Sequence, residues 1–292
     1  MVLLQLLING LIAGAIYALV ASGFSLIYSV CKFVHLAHGA TILAAGYFLY
    51  FLYAVLEINF WLSAIAAVGF AGAFGWLLNK LVYAQLRERK ASNAILLIAS
   101  FVLLILFESL VSLFFGADVK TLRFIKIEKG IEVFDAVITP LQVAIIATAF
   151  ALFALLFFFL KKTKTGKALR AVADNKQAAE IVGISSNKVY GLAFLLGSAI
   201  AGAAAVLIGL EQNLEPTMGM NLVIKGFTGA VVGGIDSVPG AILGAFLLGF
   251  VENVGIWFLP SGYKDAIAFV VLFAFLLFKP QGILGVKKIG AA

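Results

Sequence analysis

Few residues of this chain have side chains whose types and spacing allow reactive chemistry. Two histidines, His35 and His38, lie three residues apart, and Cys31 is the single cysteine. A metal site at the histidines would need carboxylates from distant parts of the chain, and one cysteine excludes an intramolecular disulfide. The sequence lacks a glycine-rich phosphate loop and a His-Glu-x-x-His motif. We therefore expect no metal, no cofactor and no catalytic residue, so the chain is not predicted to be an enzyme.

One carboxylate stands in an otherwise uncharged stretch. Glu108 is the only charged residue between positions 94 and 115. An ionisable side chain at membrane depth has to face protein or water rather than lipid. We favour a structural pairing of Glu108 with a neighbouring polar helix face over a direct part in transport.

Composition places these residues in a membrane protein. Of the 292 residues, 63% are hydrophobic and 12% are charged, which is more apolar sequence than a soluble fold of this length needs. Apolar runs of roughly the length that spans a bilayer as a helix cover residues 2–31, 40–56, 58–79, 94–115, 143–160, 189–210, 240–258 and 263–278. The first run is too long for a signal-peptide core, and we interpret it as a retained span. The sequence thus predicts an all-α polytopic protein, with eight transmembrane helices and a short half-helix at 221–234, in one domain covering 1–292.

A basic segment, residues 161–188, separates two of these runs. It carries seven Lys or Arg residues against Asp174 and Glu180, the bias that keeps a short loop on the cytoplasmic side. Asp174 is predicted to cap a second short helix and Gly183 to end it. Small and apolar residues recur near a helical period, at Ala168, Val172, Ala179 and Val182. Two interpretations stay open on these features: a helix that docks on a partner, and a solvated loop lying on anionic lipid.

Charge also predicts the topology. Placing residues 80–90, the basic segment, the C-terminus and Lys32 in the cytosol assigns 15 of the 21 Lys and Arg residues there. The N-terminus is then outside. The loop 116–139 has balanced charge, which fits the external face, and its alternating pattern predicts a hairpin with its turn at or near Lys129 and Gly130.

Two glycine-containing interruptions predict broken helices. One lies at 32–39, and the other follows the half-helix at 234–239. The residues after them are similar, since His38-Gly39-Ala40-Thr41-Ile42-Leu43 resembles Pro239-Gly240-Ala241-Ile242-Leu243-Gly244. Paired broken helices often line a transport pathway, because unwound backbone offers hydrogen bonds where lipid does not reach. Coincidence in a glycine-rich apolar chain is the alternative.

An ordered set of short motifs spans nearly the whole chain. It comprises Asn9-Gly10-Leu11, Gly14, Tyr17-Ala18-Leu19, GFSLIY at 23–28, HLAHG at 35–39, TGKALRA at 165–171, Ala178-Ala179, Gly183, PTMG at 216–219, VVGG at 231–234, Pro239-Gly240-Ala241 and Lys279-Pro280-Gln281-Gly282. In this set the chain resembles the Liv-type permeases of branched-chain amino-acid ABC importers. It departs from the family pattern at His35-Leu36, where Asn-Phe is usual, and at Asp236, where Gly is usual.

The resemblance implies partners and sites. It implies a multi-pass protein of the cytoplasmic (inner) membrane that works with a second permease subunit, as a hetero- or homodimer, two cytosolic ATP-binding subunits that use the ATP, and an external substrate-binding protein. It places ATPase coupling at Arg170, Ala178, Ala179 and Gly183. The breaks are predicted to line the substrate path through His35, His38, Gly39, Gly233, Gly234, Asp236, Ser237 and Gly240. No nucleic-acid partner is expected.

Other functions remain open from the sequence. A urea or short-amide ABC permease belongs to the same class, and the departures at His35 and Asp236 bear on that choice. An ion-coupled secondary carrier or a channel would belong to a different class. That alternative would require Glu108 or Glu252 to titrate during transport and would need no ATPase.

Overall fold

The computed structural model describes residues 2–122, 124, 130–133 and 136–285. The helices of this part of the chain are α1 (Val2–Cys31), α2 (His38–Tyr50, continued by a π-helical turn at Phe51–Val55), α3 (Phe60–Leu78, continued by Asn79–Tyr83), α4 (Ala84–Glu88), α5 (Asn93–Phe115), α6 (Pro140–Lys162), α7 (Lys164–Asp174), α8 (Lys176–Ile181), α9 (Ser186–Glu211), α10 (Met218–Gly233), α11 (Val238–Gly255) and α12 (Lys264–Phe278, preceded by a 3-10 turn at Ser261–Tyr263). Strands β1 (Ile131–Val133) and β2 (Ala136–Ile138) form an antiparallel pair.

Eight of the helical segments in the described residues are long and apolar enough to cross a membrane, and α10 is a shorter apolar helix. This confirms the predicted count of eight spans and the presence of a short helix, with ends that fall within a few residues of the predicted runs except for the third span, which continues to Glu88. We call the end of the bundle that carries α7 and α8 the basic end, and the end that carries β1 and β2 the hairpin end.

Local sequence explains where the helices begin. The Thr139 hydroxyl accepts from the Gln142 N–H, and the Gln142 side chain accepts from the Thr139 N–H, with Pro140 as the first helical residue of α6. Such a reciprocal cap satisfies two N–H groups that have no partner inside the helix. Ser237 caps α11 in the simpler way, accepting from the Gly240 N–H at 3.2 Å. These starts lie at the ends of apolar runs, so the capping residues fix where each span begins.

Three interruptions shape the bundle: break A (residues 32–37, between α1 and α2), break B (residues 212–217, between α9 and α10) and break C (residues 234–237, between α10 and α11). Helix α1 runs from the hairpin end to the basic end, and α9 runs the opposite way. Helix α1 packs most extensively on α11, and α3 packs most extensively on α9. Exchanging α1 with α9 and α3 with α11 turns the first of these contacts into the second. The two halves of the chain therefore form an inverted repeat.

The repeat differs from the similarity predicted in the sequence. Helices α2 and α11, which follow the two predicted breaks, both run from the basic end to the hairpin end, as expected. The packing, however, relates α2 to α10, which touch at Gly39 and Gly219. The sequence motifs do not show this relation, because inverted repeats share geometry and contacts rather than residue order.

The hairpin is present, but its predicted turn is wrong. Ile131 pairs with Ile138 and Val133 with Ala136, so β1 ends at Val133 and β2 begins at Ala136, both past Gly130. Gly130 precedes β1, and Lys129 lies outside the described residues. The predicted position failed because glycine suggested the turn, whereas the strand register puts the turn after β1. Gln5 near the start of α1 holds this hairpin through two hydrogen bonds to the Val137 backbone, at 3.0 and 2.8 Å.

Candidate functional site

The basic segment forms two capped helices. Thr163 caps α7 by accepting from the Gly166 N–H at 2.9 Å. Asn175, in an extended conformation, caps α8 by accepting from the Ala178 N–H at 3.0 Å. The predicted cap, Asp174, is instead the last residue of α7. The chain turns one residue later than predicted, and the Asn175 amide oxygen makes the same bond that a carboxylate would have made.

One face of this segment packs on the bundle. Leu169 and Val172 of α7 and Ala179 of α8 form a small buried cluster with Val30 of α1 and with the start of α9. Ala168 is half-buried in the same place. Val182 was predicted to share this face, but it lies past the end of α8 and points away from it. The amphipathic pattern therefore docks the segment onto α1 and α9.

The tip of the segment exposes apolar side chains. Ile181 is 85% exposed and Val182 is 74% exposed. Gly183 follows in the left-handed region at φ +86° with open space around it, and its positive φ turns the chain back toward α9. We call Ile181 and Val182 the apolar tip. Sequence reasoning missed Ile181, although two adjacent branched residues before a helix-ending glycine were a visible signal.

The other predicted coupling residues lie around this tip. Ala178 is exposed on α8, one turn before Val182, and Ala179 faces the bundle. Arg170 is exposed on α7 and lines a cleft of about 560 Å³ at the basic end. Asp236 of break C lines the same cleft. The segment and break C therefore share one surface.

Break A lies inside the bundle. The His35 ring is fully buried between Tyr83 and Phe194, and its Nδ1 lies 3.0 Å from the Tyr83 hydroxyl oxygen. His38 is also fully buried, at an edge-on contact with Phe24. The structure thus encloses His35 with aromatic side chains, and it buries His38 between Phe24, His35 and the helix backbone at Gly23. Their assignment to the substrate path stays a prediction.

Break C is closed at the basic end. Lys32 of break A pairs with Asp236 at 2.6 Å. The Leu284 N–H, from the segment after α12, donates to the Gly233 carbonyl at 2.8 Å. Gly233 and Gly240 touch across the break, and Gly234 occupies a positive φ of +115°. The structure therefore brings the predicted residues of break C together with Lys32, while His38 and Gly39 lie apart from them.

Break B was not predicted as part of a site. Gly219, just after it, packs against Gly39 so closely that a Cβ atom at position 219 would lie 2.9 Å from the Gly39 carbonyl oxygen. Glu108 accepts a hydrogen bond from the Met220 N–H at 3.0 Å. Glu108 therefore pairs with the backbone of a neighbouring helix, and the preference for a structural role over a part in transport stays a prediction. A carboxylate at the first turn of α10 also complements the helix dipole.

A charged cluster lies beside break B, between α1, α10, α11 and α12. The carboxylate of Glu252 is completely buried, and it accepts from the Tyr17 hydroxyl at 3.0 Å and from Lys225 Nζ at 3.1 and 3.2 Å. Lys225 Nζ also lies 3.0 Å from Asp265 Oδ1. A cavity of about 500 Å³ adjoins this cluster, lined in part by Tyr17, Lys225, Asp265 and Glu215. Single charged residues in the apolar runs gave no sign that they would meet.

The bundle of eight spans, its inverted repeat and the docked basic segment define an integral-membrane transport permease. The chain belongs to the family described as branched-chain amino acid transport system / permease component, whose model matches residues 6–276.

Curated relatives match along almost the full length. The chain is 34% identical to the high-affinity branched-chain amino acid transport system permease protein BraD of Pseudomonas aeruginosa, over 97% of this chain and 95% of the relative. It is 32% identical to LivH of Escherichia coli over the same shares, and 28% identical to the probable permease LivH of Methanocaldococcus jannaschii over 97% of this chain and 92% of the relative.

A solved structure shares the fold. PsaBC from Streptococcus pneumoniae in complex with Fab superposes with a TM-score of 0.52 at 16% identity, covering 94% of this chain and 91% of that one. At this identity the likeness concerns the fold alone.

Proposed function

We propose that this chain is the membrane permease subunit of an ABC importer that moves branched-chain amino acids across the cytoplasmic membrane. The observation that carries the proposal is the apolar tip at the end of a basic, capped and docked helix pair, in a chain of this permease family. Exposed apolar residues clustered on a polar segment mark a binding surface. We therefore assign Ile181 and Val182 to a contact with a partner rather than with water.

The partner at the apolar tip is an ATP-binding subunit. Ala178 and Ile181 of α8 and Val182 just after it are exposed together, and short side chains such as alanine let a helix sit deeply in a groove. The surrounding Lys and Arg side chains complement acidic groups on the groove rim. A basic loop resting on lipid, the alternative from the sequence, would bury the same apolar pair in the membrane surface, so it is membership of this permease family that favours an ATP-binding subunit as the partner.

The remaining subunits follow from the same proposal. Two ATP-binding subunits require two permease chains, so a second permease packs beside this one. An external binding protein delivers the amino acid to the hairpin end. The proposed orientation places the N-terminus outside and the C-terminal segment in the cytosol, supported by the Lys and Arg residues at the basic end.

In the proposed mechanism, closure of the ATP-binding subunits on ATP moves α7 and α8, and the bundle changes between outward-open and inward-open forms. The cluster of Val30, Leu169 and Val172 connects the segment to α1. The predicted path residues of break C lie at the cleft that α7 shares, so motion of the segment opens or closes the basic end.

The test is uptake into proteoliposomes that contain this chain with its partner permease and ATP-binding subunits. Radiolabelled leucine is supplied outside with the binding protein, ATP is enclosed, and urea is the competing substrate. Leucine uptake that requires both ATP and the binding protein is the expected result. Uptake of urea instead overturns the amino-acid assignment, and flux through this chain alone without ATP overturns the importer assignment.

The docking assignment has its own test. Ile181→Asp is expected to abolish uptake and the stimulation of ATPase activity by the binding protein. The matched control is Ala94→Asp, which places the same charge on an exposed residue in the first turn of α5, next to Asn93 that bonds to the Lys32 carbonyl at the basic end and away from α8. Equal losses in the two variants, or normal coupling in Ile181→Asp, contradict docking at the tip.

A further inference from the structure

Three charged side chains, Lys225, Glu252 and Asp265, meet in the charged cluster beside break B. Lys225 is 12% exposed and Glu252 is fully buried, while Asp265 is 63% exposed. Burying a charge at membrane depth is costly unless the charge is paired, and such residues are generally kept for function. Lys225 and Glu252 satisfy each other, so Asp265 is an additional carboxylate at the open side.

A ligand reaches the cavity side of Lys225 only by displacing Asp265. The Lys225 ammonium group has three donors, and Glu252 holds it from the buried side through both carboxylate oxygens. Tyr17 donates to the same carboxylate and fixes its position. On the cavity side Lys225 contacts only the exposed Asp265 among the described acids. A carboxylate entering the cavity can therefore replace Asp265 at Lys225, while Asp265 turns toward a cation.

Part of the cavity wall is apolar. Ile208, Met218 and Leu222 form this part, and Met218 and Leu222 lie on the same face of α10 as Lys225. The volume of about 500 Å³ lies in the usual range for small-molecule sites. Lys225, the carboxylates of Asp265 and Glu215, and three apolar side chains thus border one space.

We propose that this cavity is a binding site for an α-amino acid zwitterion with an aliphatic side chain. Lys225 binds the α-carboxylate, Asp265 binds the α-ammonium, and the wall of Ile208, Met218 and Leu222 takes the side chain. Tyr17 and Glu252 are positioning residues that hold Lys225. The proposal rests on the function proposed above, and it assigns that function a site in the hairpin half of the membrane, beside break B.

The experiment measures binding to the assembled complex of this chain with its partner permease and ATP-binding subunits, with the binding protein omitted. Radiolabelled leucine is displaced by unlabelled leucine, by isoamylamine, which lacks the carboxylate, or by 4-methylpentanoate, which lacks the ammonium group. Lys225→Met is expected to weaken leucine binding about 10- to 100-fold, the range for loss of a charged hydrogen bond, and to leave isoamylamine binding unchanged.

Two further variants make the test specific. Asp265→Asn is expected to weaken the binding of leucine and isoamylamine but not that of 4-methylpentanoate, and it keeps the proposal testable if Lys225→Met does not assemble. Lys264→Met is the matched control, because Lys264 lies next to Asp265 in sequence and bonds to Asn253 at 3.1 Å, outside this cavity. Lys225→Arg is expected to restore most of the leucine affinity.

The outcomes separate this proposal from the one it rests on. Equal weakening of leucine and isoamylamine by Lys225→Met indicates a purely structural role and overturns the site. Equal leucine binding by Lys225→Met and Lys264→Met also overturns the site. The absence of leucine binding by a wild-type complex that takes up leucine normally overturns it as well. Failure of the wild-type complex to take up leucine with ATP and binding protein overturns the transport function itself.

Discussion

Break A and break B each interrupt the helices for six residues at related positions in the inverted repeat, yet their surroundings are opposite. Break A is enclosed by aromatic side chains, and its Leu36 N–H is satisfied by the Ser100 hydroxyl at 3.0 Å. Break B carries the exposed Glu215 and opens onto the cavity beside Lys225. One backbone design thus supports two environments, a dry core in one half and a polar cavity in the other.

The difference suggests a division of labour. In break A the Leu36 N–H and the His35 Nδ1 have partners inside the protein, although the buried His35 Nε2 has none among the described residues. In break B, Gln212, Asn213 and Glu215 line the cavity, which leaves room for a ligand beside them. Substitutions in break A should therefore reduce stability before transport, and substitutions beside break B should reduce transport before stability.

The largest effect is expected where the two halves touch. Gly39→Val places side-chain atoms against the Gly219 backbone, which cannot move without shifting α10. Overpacking of this kind costs about 3 kcal/mol, so we expect a large fall in the thermal unfolding midpoint of the purified protein. Gly69→Val in α3 is the control, because a Cβ atom there meets nothing within 4 Å. Similar midpoints for the two variants would show that the Gly39 contact is not close.

Next in size is the buried pair of His35 and Tyr83. His35→Leu leaves the Tyr83 hydroxyl without its partner, at a cost of about 1–3 kcal/mol. The double variant with Tyr83→Phe removes both polar groups and should cost less than the sum of the two single changes. A double-mutant cycle of unfolding midpoints measures the coupling. Two results would place break A in the substrate path rather than in the core. One is additive changes in the unfolding midpoint, and the other is loss of leucine uptake in a variant of unchanged stability.

A moderate effect is expected at Glu108. Glu108→Leu removes the acceptor of the Met220 N–H and the negative charge at the start of α10, which together amount to about 1–2 kcal/mol. Glu108→Gln keeps an acceptor oxygen and should retain most of the stability. Both are compared by unfolding midpoint and by leucine uptake. Loss of uptake in the Gln variant with unchanged stability would support a transport role for the charge.

The smallest effect is expected for Lys32 and Asp236, which join break A to break C. Both side chains are partly exposed, so the pair contributes about 0–1 kcal/mol, and less in high salt. Asp236→Asn should lower the unfolding midpoint slightly at low ionic strength and not at high ionic strength. A large change independent of salt would show that the pair does more than close the basic end.

Much of the fold follows from the sequence because membrane helices are long and apolar. The run 2–31 coincides with α1, and the short half-helix at 221–234 overlaps α10. Caps and turns were harder to place, because neighbouring polar residues can make the same capping hydrogen bond. Asp174 was predicted to cap α8, whereas Asn175 caps it. The site residues escaped prediction for a different reason. Tyr17 and Glu252 are 235 positions apart in the chain, and only the crossing of α1 with α11 brings them together.

The length of α1 has a mechanical consequence. At about 1.5 Å per residue its 30 residues form a rod of about 45 Å, longer than the hydrocarbon core. Val30, near one end of the helix, packs against the basic segment. Tyr17 lies about 20 Å away along the same helix, and it donates to the Glu252 carboxylate that binds Lys225. The helix is unbroken between them, so it acts as a stiff lever: a tilt imposed at Val30 displaces Tyr17 directly, with no joint between them to absorb the movement.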